Sequence, residues 1–311
     1  MIYAITHLTT FSYDALITDS VMEVRFQPRS DSAQRCLRFD LRVSPKARPI
    51  PHRDYLDNTI HQFDIPGRHR RLAIRAEAVV ETMPPPPLPD SLPPESWSGL
   101  RAAHDDRDLM DMLLPSQFAR PSAALDDFAV RQDIMRAYDP LTTVRWLNGT
   151  VFRAFEYMPN VTRVDSPIED ALDAGKGVCQ DFTHILTTLA RGMGIPTRYV
   201  SGYLFQGAVG DERDRSADDA THAWVECWFP DLGWIGFDPT NNLICGDRHI
   251  RVAVGRDYAD VPPTKGVFRG EAESILDVSV KVSRLEQMPI EDQALAPEIV
   301  LPQYEIAQQQ Q

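Results

Sequence analysis

The sequence predicts an α+β protein in which a small all-β sandwich domain precedes a core of one cysteine-bearing helix packed on an antiparallel sheet. Three observations predict this order. Alternating apolar and polar segments fill the first 82 positions, a proline-rich segment follows, and an amphipathic helix pattern then leads into consecutive strand patterns. We therefore expect an N-terminal domain over residues 1–82, a linker over 83–118, a core over 119–285 and a tail over 286–311.

Three segments carry the strand patterns of the N-terminal domain, at residues 21–26, 36–43 and 72–79. The first is rich in β-forming residues and the second alternates cleanly between apolar and polar residues. The third also alternates, but its alanines leave a helix open as an alternative. Pro, Gly, Asn and Asp residues occupy the spacers, as expected for turns. Several short strands with such spacers favour a small sandwich.

Prolines dominate the segment that follows. Seven of the chain's 25 prolines lie within residues 84–94. Proline fixes φ and lacks a backbone N–H group, so this segment is expected to be extended rather than helical or part of an inner strand. We interpret it as a rigid spacer between domains, with a ligand for a proline-recognition module as the alternative.

The core begins with helix patterns and continues with strand patterns. Two short helices are expected within residues 125–146, interrupted near Pro140, and apolar residues recur at helical spacing through residues 180–191. The charged segment 210–219 is expected to be a solvated loop, and the glutamine-rich end a frayed tail. The strand patterns of the core lie at residues 197–205, 222–229, 234–237 and 275–282.

The composition excludes several classes of function. Acidic residues number 45 and basic residues 32, which gives a net charge of −13 at pH 7. Such a chain is a poor match for nucleic acid and is repelled by anionic membranes, so we expect neither partner. We also expect no membrane span and no secretory signal, since no long apolar segment is present. Four cysteines in so long a chain are not a disulfide framework, which favours a cytoplasmic protein with reduced thiols.

Cys179 is the first candidate for chemistry. Glycines precede it in the segment GKGVCQDF, and the amphipathic helix follows it, so the cysteine is expected at or near the start of that helix. The first turn of a helix has unpaired N–H groups and positive dipole character, and both favour the thiolate form of a cysteine. The same N–H groups are suited to bind a developing oxyanion.

His222 and Asp238 supply the two groups that a thiolate nucleophile needs beside it. As a strand, the segment THAWVECW places His222 and Trp224 on one face and Cys227 on the other. The next strand ends at Asp238 and is joined to the first by a hairpin-type turn, so the two strands are antiparallel neighbours. A register that brings the Asp238 carboxylate to the imidazole would complete a nucleophile, base and orienting acid.

These motifs resemble the bacterial transglutaminase-like proteins. The resemblance is carried by GVCQDFTHILTTLARGMGIPTRYVSGY and THAWVECWFPDLGWIGFDPTNN, and it extends to GRDYADVPPTKGVFRG at residues 255–270. The N-terminal YAITHLTTFSYD and the RFQPR segment at residues 25–29 resemble the β-rich N-terminal domain of the same bacterial subfamily. The resemblance implies a papain-like cysteine-enzyme core over residues 119–285.

The resemblance implies a Cys-His-Asp triad. In it Cys179 is the nucleophile, His222 the general base and acid, and Asp238 the orienting carboxylate. The reaction of the family is acyl transfer on an amide through a thioester, with no metal and no cofactor. The expected substrate is a peptide or protein, and the acceptor is water in a cysteine-protease-like hydrolase or an amine in a protein-glutamine transamidase.

Four further residues are possible site-lining groups, and each has a structural alternative. Gln180 follows the nucleophile directly, and Asp181 lies in the first helical turn, where a carboxylate also stabilises the helix dipole. Tyr199 lies on the strand after the helix and Trp224 on the face of His222, where packing is the alternative role for both aromatic rings.

Two other classes of function remain open at this point. The protein could be a non-catalytic binding module that retains the fold, with the N-terminal domain recognising a partner. It could also hold a metal ion, since Cys245 and His249 are four residues apart and Cys227 could join them. A fourth ligand is not evident and the paired CxxC spacing of zinc sites is missing, so the zinc site is the weaker alternative.

Overall fold

The structure is a computed structural model that describes residues 1–102, 106–207, 215 and 220–287. The predicted charged loop at 210–219 and the tail beyond residue 287 lie almost entirely outside these residues. The helices are α1 Ser96–Ala102, α2 Arg107–Met110, α3 Ala123–Arg131, α4 Pro140–Ala154, α5 Ile168–Ala174 and α6 Cys179–Gly192. The strands are β1 Ile2–Val24, β2 Gln34–Ser44, β3 Ile50–Arg53, β4 Thr59–Ile65, β5 His69–Thr82, β6 Glu156–Tyr157, β7 Lys176–Gly177, β8 Thr197–Leu204, β9 His222–Phe229, β10 Gly233–Asp238, β11 Leu243–Ile244, β12 His249–Gly255, β13 Thr264–Arg269 and β14 Ser274–Leu285.

The N-terminal region is all-β, as the sequence predicts. Its long strand β1 belongs to two four-stranded groups, β2-β5-β1-β14 and β13-β1-β4-β3, which share one hydrophobic core. Irregularities in the pairing near residues 12–21 let β1 pass from one group to the other. The alanine-rich segment within β5 is a strand and not a helix, because both of its edges pair with neighbouring strands.

The last two described strands belong to the N-terminal sheet. β13 pairs with the second half of β1, and β14 pairs with its first half over twelve residues. The predicted division places residues 264–285 in the core, and it is wrong there because these strands find their hydrogen-bond partners on β1. Both ends of the described chain therefore meet in one sheet.

The linker is extended where the prolines are dense and helical after them. Residues 84–89 have no regular secondary structure, and the short helices α1 and α2 follow within the predicted linker. The Arg145 guanidinium, on α4, donates to the carbonyl of Pro89 at 3.0 Å, and to that of Asp90. The linker is thus fastened to the helical part of the core.

The core places α6 against an antiparallel sheet with the order β11-β10-β9-β8-β12. Its central hydrophobic cluster joins one face of α6, represented by Phe182 and Leu186, to Val225 and Phe229 of β9 and to residues of α4. The helix start at Pro140 is confirmed, because the Asp139 side chain accepts from the backbone N–H group of Thr142 and caps α4. The predicted α+β fold with a cysteine-bearing helix on an antiparallel sheet is confirmed.

A second hydrophobic cluster joins the two parts of the molecule, with Tyr3 and Val80 from the N-terminal sheet and Tyr203 and Ile250 from the core. Polar contacts reinforce it: the Gln34 side chain exchanges hydrogen bonds of 2.8 Å with the backbone of Arg251. The core sheet therefore packs against α6 through the first cluster and against the N-terminal sheet through the second. Across the parts of the chain that the structure describes, none of the helices combines the length and the apolar character of a membrane span.

Candidate active site

Cys179 is the first residue of α6, as predicted, and its side chain is partly exposed. The start of the helix is fixed by Asp181, whose Oδ2 accepts the Val178 N–H group at 2.8 Å and the Thr162 hydroxyl at 2.6 Å. Gly177 is required here, since a β-carbon at this position would come within 2.7 Å of the Asp181 carboxylate. The local sequence thus presents the thiol at a rigid, positively polarised helix end.

His222 and Asp238 meet as the hairpin geometry predicts. Strands β9 and β10 are antiparallel neighbours, and His222 Nε2 lies 2.8 Å from Asp238 Oδ2. Both side chains are buried, with 3% of His222 and none of Asp238 exposed. Since Asp238 occupies Nε2, the ring nitrogen Nδ1 is left free, and it makes no hydrogen bond within the described residues.

The Asp238 carboxylate accepts five hydrogen bonds. Oδ1 accepts from the backbone N–H groups of Thr240 at 2.9 Å and Asn241 at 3.2 Å. Oδ2 accepts from His222, from the Asn241 side chain at 2.8 Å and from His249 Nε2 at 3.2 Å. Burial by itself would raise the pKa of Asp238, but the charge and hydrogen bonds of the two histidines hold this pKa well below its usual range.

The environment favours the imidazolium form of His222. Burial alone would lower its pKa, but the Asp238 charge and hydrogen bond, together with interactions with the Cys179 side chain, raise the pKa of His222 to about 10. Cys179 thus lies beside the ring that Asp238 orients. An imidazolium between a carboxylate and a thiol is the arrangement that stabilises a thiolate nucleophile.

Two of the four possible site-lining residues have contacts elsewhere, and two lie beside the group. Gln180 is buried, and its side-chain amide donates to the Val164 carbonyl at 2.8 Å, while Asp181 caps the helix. Burial raises the pKa of Tyr199 well above its usual value, and the nearby Cys179 raises it further. Trp224 is buried on the His222 face, as predicted, with 6.0 Å between the two ring centroids.

Two parts of the chain match known families. Residues 129–239 match the transglutaminase-like superfamily, and residues 3–81 match the bacterial transglutaminase-like N-terminal region. An uncharacterized protein of Mycobacterium leprae is 33% identical over 292 residues, which cover 90% of this chain and 98% of that protein. The chain belongs to the transglutaminase-like superfamily.

Two further relatives and one solved structure are similar to this chain. An uncharacterized protein of Mycobacterium tuberculosis is 33% identical over 94% of both chains. A protein-glutamine gamma-glutamyltransferase of Pseudomonas aeruginosa is 29% identical over 148 residues, which are 46% of this chain and 20% of that protein. Among solved structures, a proposed cysteine protease of Cytophaga hutchinsonii has a TM-score of 0.71 at 20% identity and covers 93% of both chains, which supports the shared fold.

His249 contacts Asp238, which the sequence did not predict. The sequence suggested it only as a ligand of a zinc site with Cys227 and Cys245. In the structure Cys227 packs in the α6-side cluster, Cys245 packs near Trp224, and His249 points to Asp238. The sequence feature that could have indicated this contact is a histidine at the start of the strand that follows the Asp238 turn.

Each of His222, Asp238 and His249 offers one atom that could bind a metal ion, and these three atoms lie within 4.8 Å of one another. Both Nε2 atoms, however, lie against the same carboxylate oxygen, Oδ2 of Asp238. We therefore assign these three side chains to a hydrogen-bond network.

A cavity of about 630 Å³ lies behind the site, between the core sheet and the N-terminal domain. Trp224 and His249 line it, and so do Glu226 and Arg251, whereas Asp238 does not. The Glu226 carboxylate, 3% exposed, lies 3.1 Å from the Arg251 guanidinium and 2.8 Å from the Nε atom of Arg198. The polar groups of this wall are thus paired with each other rather than turned toward the thiol.

Proposed function

We propose that the protein is a thiol-dependent acyltransferase acting on amide bonds, with Cys179 as nucleophile, His222 as general base and acid, and Asp238 as orienting carboxylate. The observation that carries the proposal is the buried His222–Asp238 pair at 2.8 Å, which leaves Nδ1 free on the ring beside the thiol. A buried ring nitrogen without a partner is free to exchange a proton with the thiol beside it.

The proposed reaction has two halves. The Cys179 thiolate attacks the amide carbonyl carbon, and the C–N bond breaks as the His222 imidazolium gives its proton to the leaving nitrogen. The nitrogen leaves as an amine, or as ammonia when the amide is a glutamine side chain. The resulting thioester is then attacked by water or by an amine, whose proton His222 accepts. This step releases the acyl product and restores the Cys179 thiolate and the His222 imidazolium.

The first turn of α6 is the proposed source of oxyanion stabilisation. Backbone N–H groups at a helix start have no partner within the helix, and they point toward the side where the carbonyl oxygen gains charge. Since Asp181 already accepts the Val178 N–H group, the groups proposed for the oxyanion are those that follow it, beginning with Cys179.

The substrate class follows from the same chemistry. We propose a peptide or protein amide as the acyl donor, with hydrolysis favoured over transamidation because an amine must be bound and water excluded for transfer to dominate. The net charge of −13 would favour cationic acceptors if transamidation occurs. A cytoplasmic location stays a prediction that rests on the cysteine content.

The experiment that tests the proposal is site-resolved alkylation with iodoacetamide, read by mass spectrometry across pH. The other cysteines give an internal comparison, because burial raises the pKa of Cys36 to about 11, of Cys227 to about 12 and of Cys245 well above its usual value. We expect fast alkylation at Cys179 alone near about pH 6, lost in His222→Ala. Equal reactivity of Cys179 and Cys36 would refute the triad and favour a non-catalytic binding module.

Turnover is tested with a glutamine peptide and a labelled primary amine. Ammonia release without incorporation of the amine indicates a hydrolase, and incorporation indicates a transamidase. Cys179→Ala is expected to abolish either signal, while Cys36→Ala, a matched change at another partly exposed thiol, is expected to leave it unchanged. Turnover that survives Cys179→Ala would contradict the proposed nucleophile.

A further inference from the structure

His249 contacts the same carboxylate oxygen of Asp238 that His222 contacts. It begins strand β12, eleven residues after Asp238, and its Nε2 lies 3.2 Å from Asp238 Oδ2, the same oxygen that His222 contacts. His249 is 7% exposed, so the interaction is shielded from solvent. The ring centroids of His249 and His222 are 6.3 Å apart, which places the carboxylate oxygen between two imidazoles.

The other ring nitrogen of His249 fixes its tautomer. The backbone N–H group of Gly246 lies 3.3 Å from His249 Nδ1, and a backbone N–H group can only donate. Nδ1 is therefore the acceptor, and the ring proton is on Nε2, where it is donated to Asp238. A neutral His249 in this tautomer leaves both of its nitrogens satisfied.

Burial favours the neutral form of the His249 ring. Burial lowers the pKa of His249, the hydrogen bond and charge of Asp238 oppose this, and the nearby His222 and Arg248 lower it further. For His222, on the other side of the same oxygen, burial lowers the pKa, but Asp238 and Cys179 outweigh burial and raise the pKa to about 10. Of the two rings that share Oδ2, His249 is thus a neutral donor, whereas His222 is the charged imidazolium.

We propose that His249 is a positioning residue that holds Asp238 Oδ2 in line with Nε2 of His222, and this inference rests on the proposed function. Five donors fix the carboxylate: one of them comes from strand β9, and three come from the turn after β10. The His249 donor comes from β12, at the far edge of the sheet, and it ties the orientation of the carboxylate to a second element.

The position of His249 also excludes water from the carboxylate. His249 and Trp224 pack edge to face at 5.2 Å, and both line the cavity of about 630 Å³ behind the site. Asp238 contacts His249 and does not line that cavity. A smaller side chain at position 249 would open the carboxylate to the cavity, where water would compete with His222 for Oδ2.

Two variants separate the hydrogen bond from the volume of the ring. His249→Gln keeps an N–H donor near the position of Nε2, whereas His249→Leu fills similar space without a donor. Cys179 alkylation is measured across pH on both variants, on the wild type and on His222→Ala. Losing a hydrogen bond to a charged group typically costs roughly tenfold to hundredfold, so we expect a decrease of that size near about pH 6 in His249→Leu.

The His222→Ala arm tests the proposed function, and the His249 variants test this inference. If wild-type Cys179 shows no fast alkylation that depends on His222, the proposed function fails. If wild-type Cys179 does show fast alkylation that depends on His222, and His249→Leu reacts like the wild type, the positioning role is overturned while the triad stands. His249→Gln should stay within about threefold of the wild type with the same pH midpoint. A folded His249→Gln that is as impaired as His249→Leu would also overturn the role.

If His249→Leu does not fold, an NMR spectrum of the wild type tests the proposal through the protonation of the His249 ring. In protein labelled with ¹⁵N-histidine, His249 is assigned by the signals missing from His249→Gln. The proposal expects a neutral ring at neutral pH with its proton on Nε2. A His249 protonated on Nδ1 alone, or on both nitrogens, would refute the donor geometry independently of any reactivity measurement.

Discussion

Asp238→Asn is the substitution that most directly tests the electrostatics of the site. It keeps the size and shape of the side chain and removes its charge. The wild-type carboxylate accepts on both oxygens, with two backbone N–H groups on Oδ1 and His222, His249 and the Asn241 side chain on Oδ2. An asparagine has one oxygen, so in either orientation its NH₂ group faces buried donors that it cannot satisfy.

The magnitude follows from the pKa of His222. This pKa is about 10 in the wild type, and without the Asp238 charge and hydrogen bond, burial lowers it toward the ordinary value of 6.5. The imidazolium thus loses up to about 5 kcal/mol of stabilisation, at about 1.4 kcal/mol per pH unit. With a pKa near 6.5, roughly one-quarter of His222 is protonated at about pH 7, instead of nearly all of it. We expect Cys179 alkylation and turnover to fall by about 10³- to 10⁴-fold, the size seen when a triad base adopts the wrong tautomer.

The same shift predicts a stability profile. The folded His222 pKa lies above the unfolded one, so its contribution is complete below about pH 6.5 and is lost as the pH rises through about 10. Urea unfolding of the wild type should therefore lose up to about 5 kcal/mol across that window. In Asp238→Asn, the free energy of unfolding should lack the pH dependence that His222 contributes in the wild type.

Two assays check these expectations together. Site-resolved alkylation gives the rate at Cys179, and ¹⁵N-histidine spectra give the titration of His222 in each protein. An Asp238→Asn variant that is folded, still titrates His222 above about pH 9 and alkylates Cys179 at the wild-type rate would refute the reasoning, because the carboxylate would then not control the ring.

Three other substitutions test the packing around the site by urea unfolding. Gly202→Ala overlaps the backbone of β12 and should cost about 2 kcal/mol or more, whereas Gly207→Ala, with open space, should be near neutral. Glu226→Gln removes the charge that the partly buried Arg198 and Arg251 share, while Arg251 keeps its ion pair with Asp31, and should cost about 2–4 kcal/mol. Asp165→Asn at an exposed pair should cost less than about 1 kcal/mol. Asp181→Ala should cost about 1 kcal/mol through loss of the helix cap and slow Cys179 alkylation. Equal effects in a substitution and its control, or no effect of Asp181→Ala, would contradict these assignments.

Local patterns predicted the elements that carry the site. The apolar spacing within α6 and the glycines before Cys179 predicted both the helix and its start. The short turn between β9 and β10 predicted that His222 and Asp238 would be neighbours, and the strands lie at the expected positions. These features depend on residues close in sequence, where periodicity and turn chemistry are informative.

Long-range pairing could not be predicted in the same way. Residues 275–282 form a strand as expected, but their pattern does not say whether the partner is the core sheet or β1. The contact of His249 with Asp238 likewise depends on β12 pairing with β8 at the far edge of the sheet. In both cases the deciding hydrogen bonds join elements that the sequence separates by other strands, and an alternating pattern carries no information about its partner.

The pairing of β1 with β14 has a consequence for how the chain reaches its folded state. Ile2 lies opposite Leu285, and the register continues to Tyr13 opposite Ser274. During synthesis one edge of the first strand therefore stays uncovered until residues 274–285 have been made. Loop closure over that separation slows folding. Until then β1 exposes an unpaired edge, the kind of surface that recruits chaperones or promotes aggregation. Nascent chains truncated before residue 264 should be protease-sensitive in their N-terminal strands, although every residue of the proposed triad is already present.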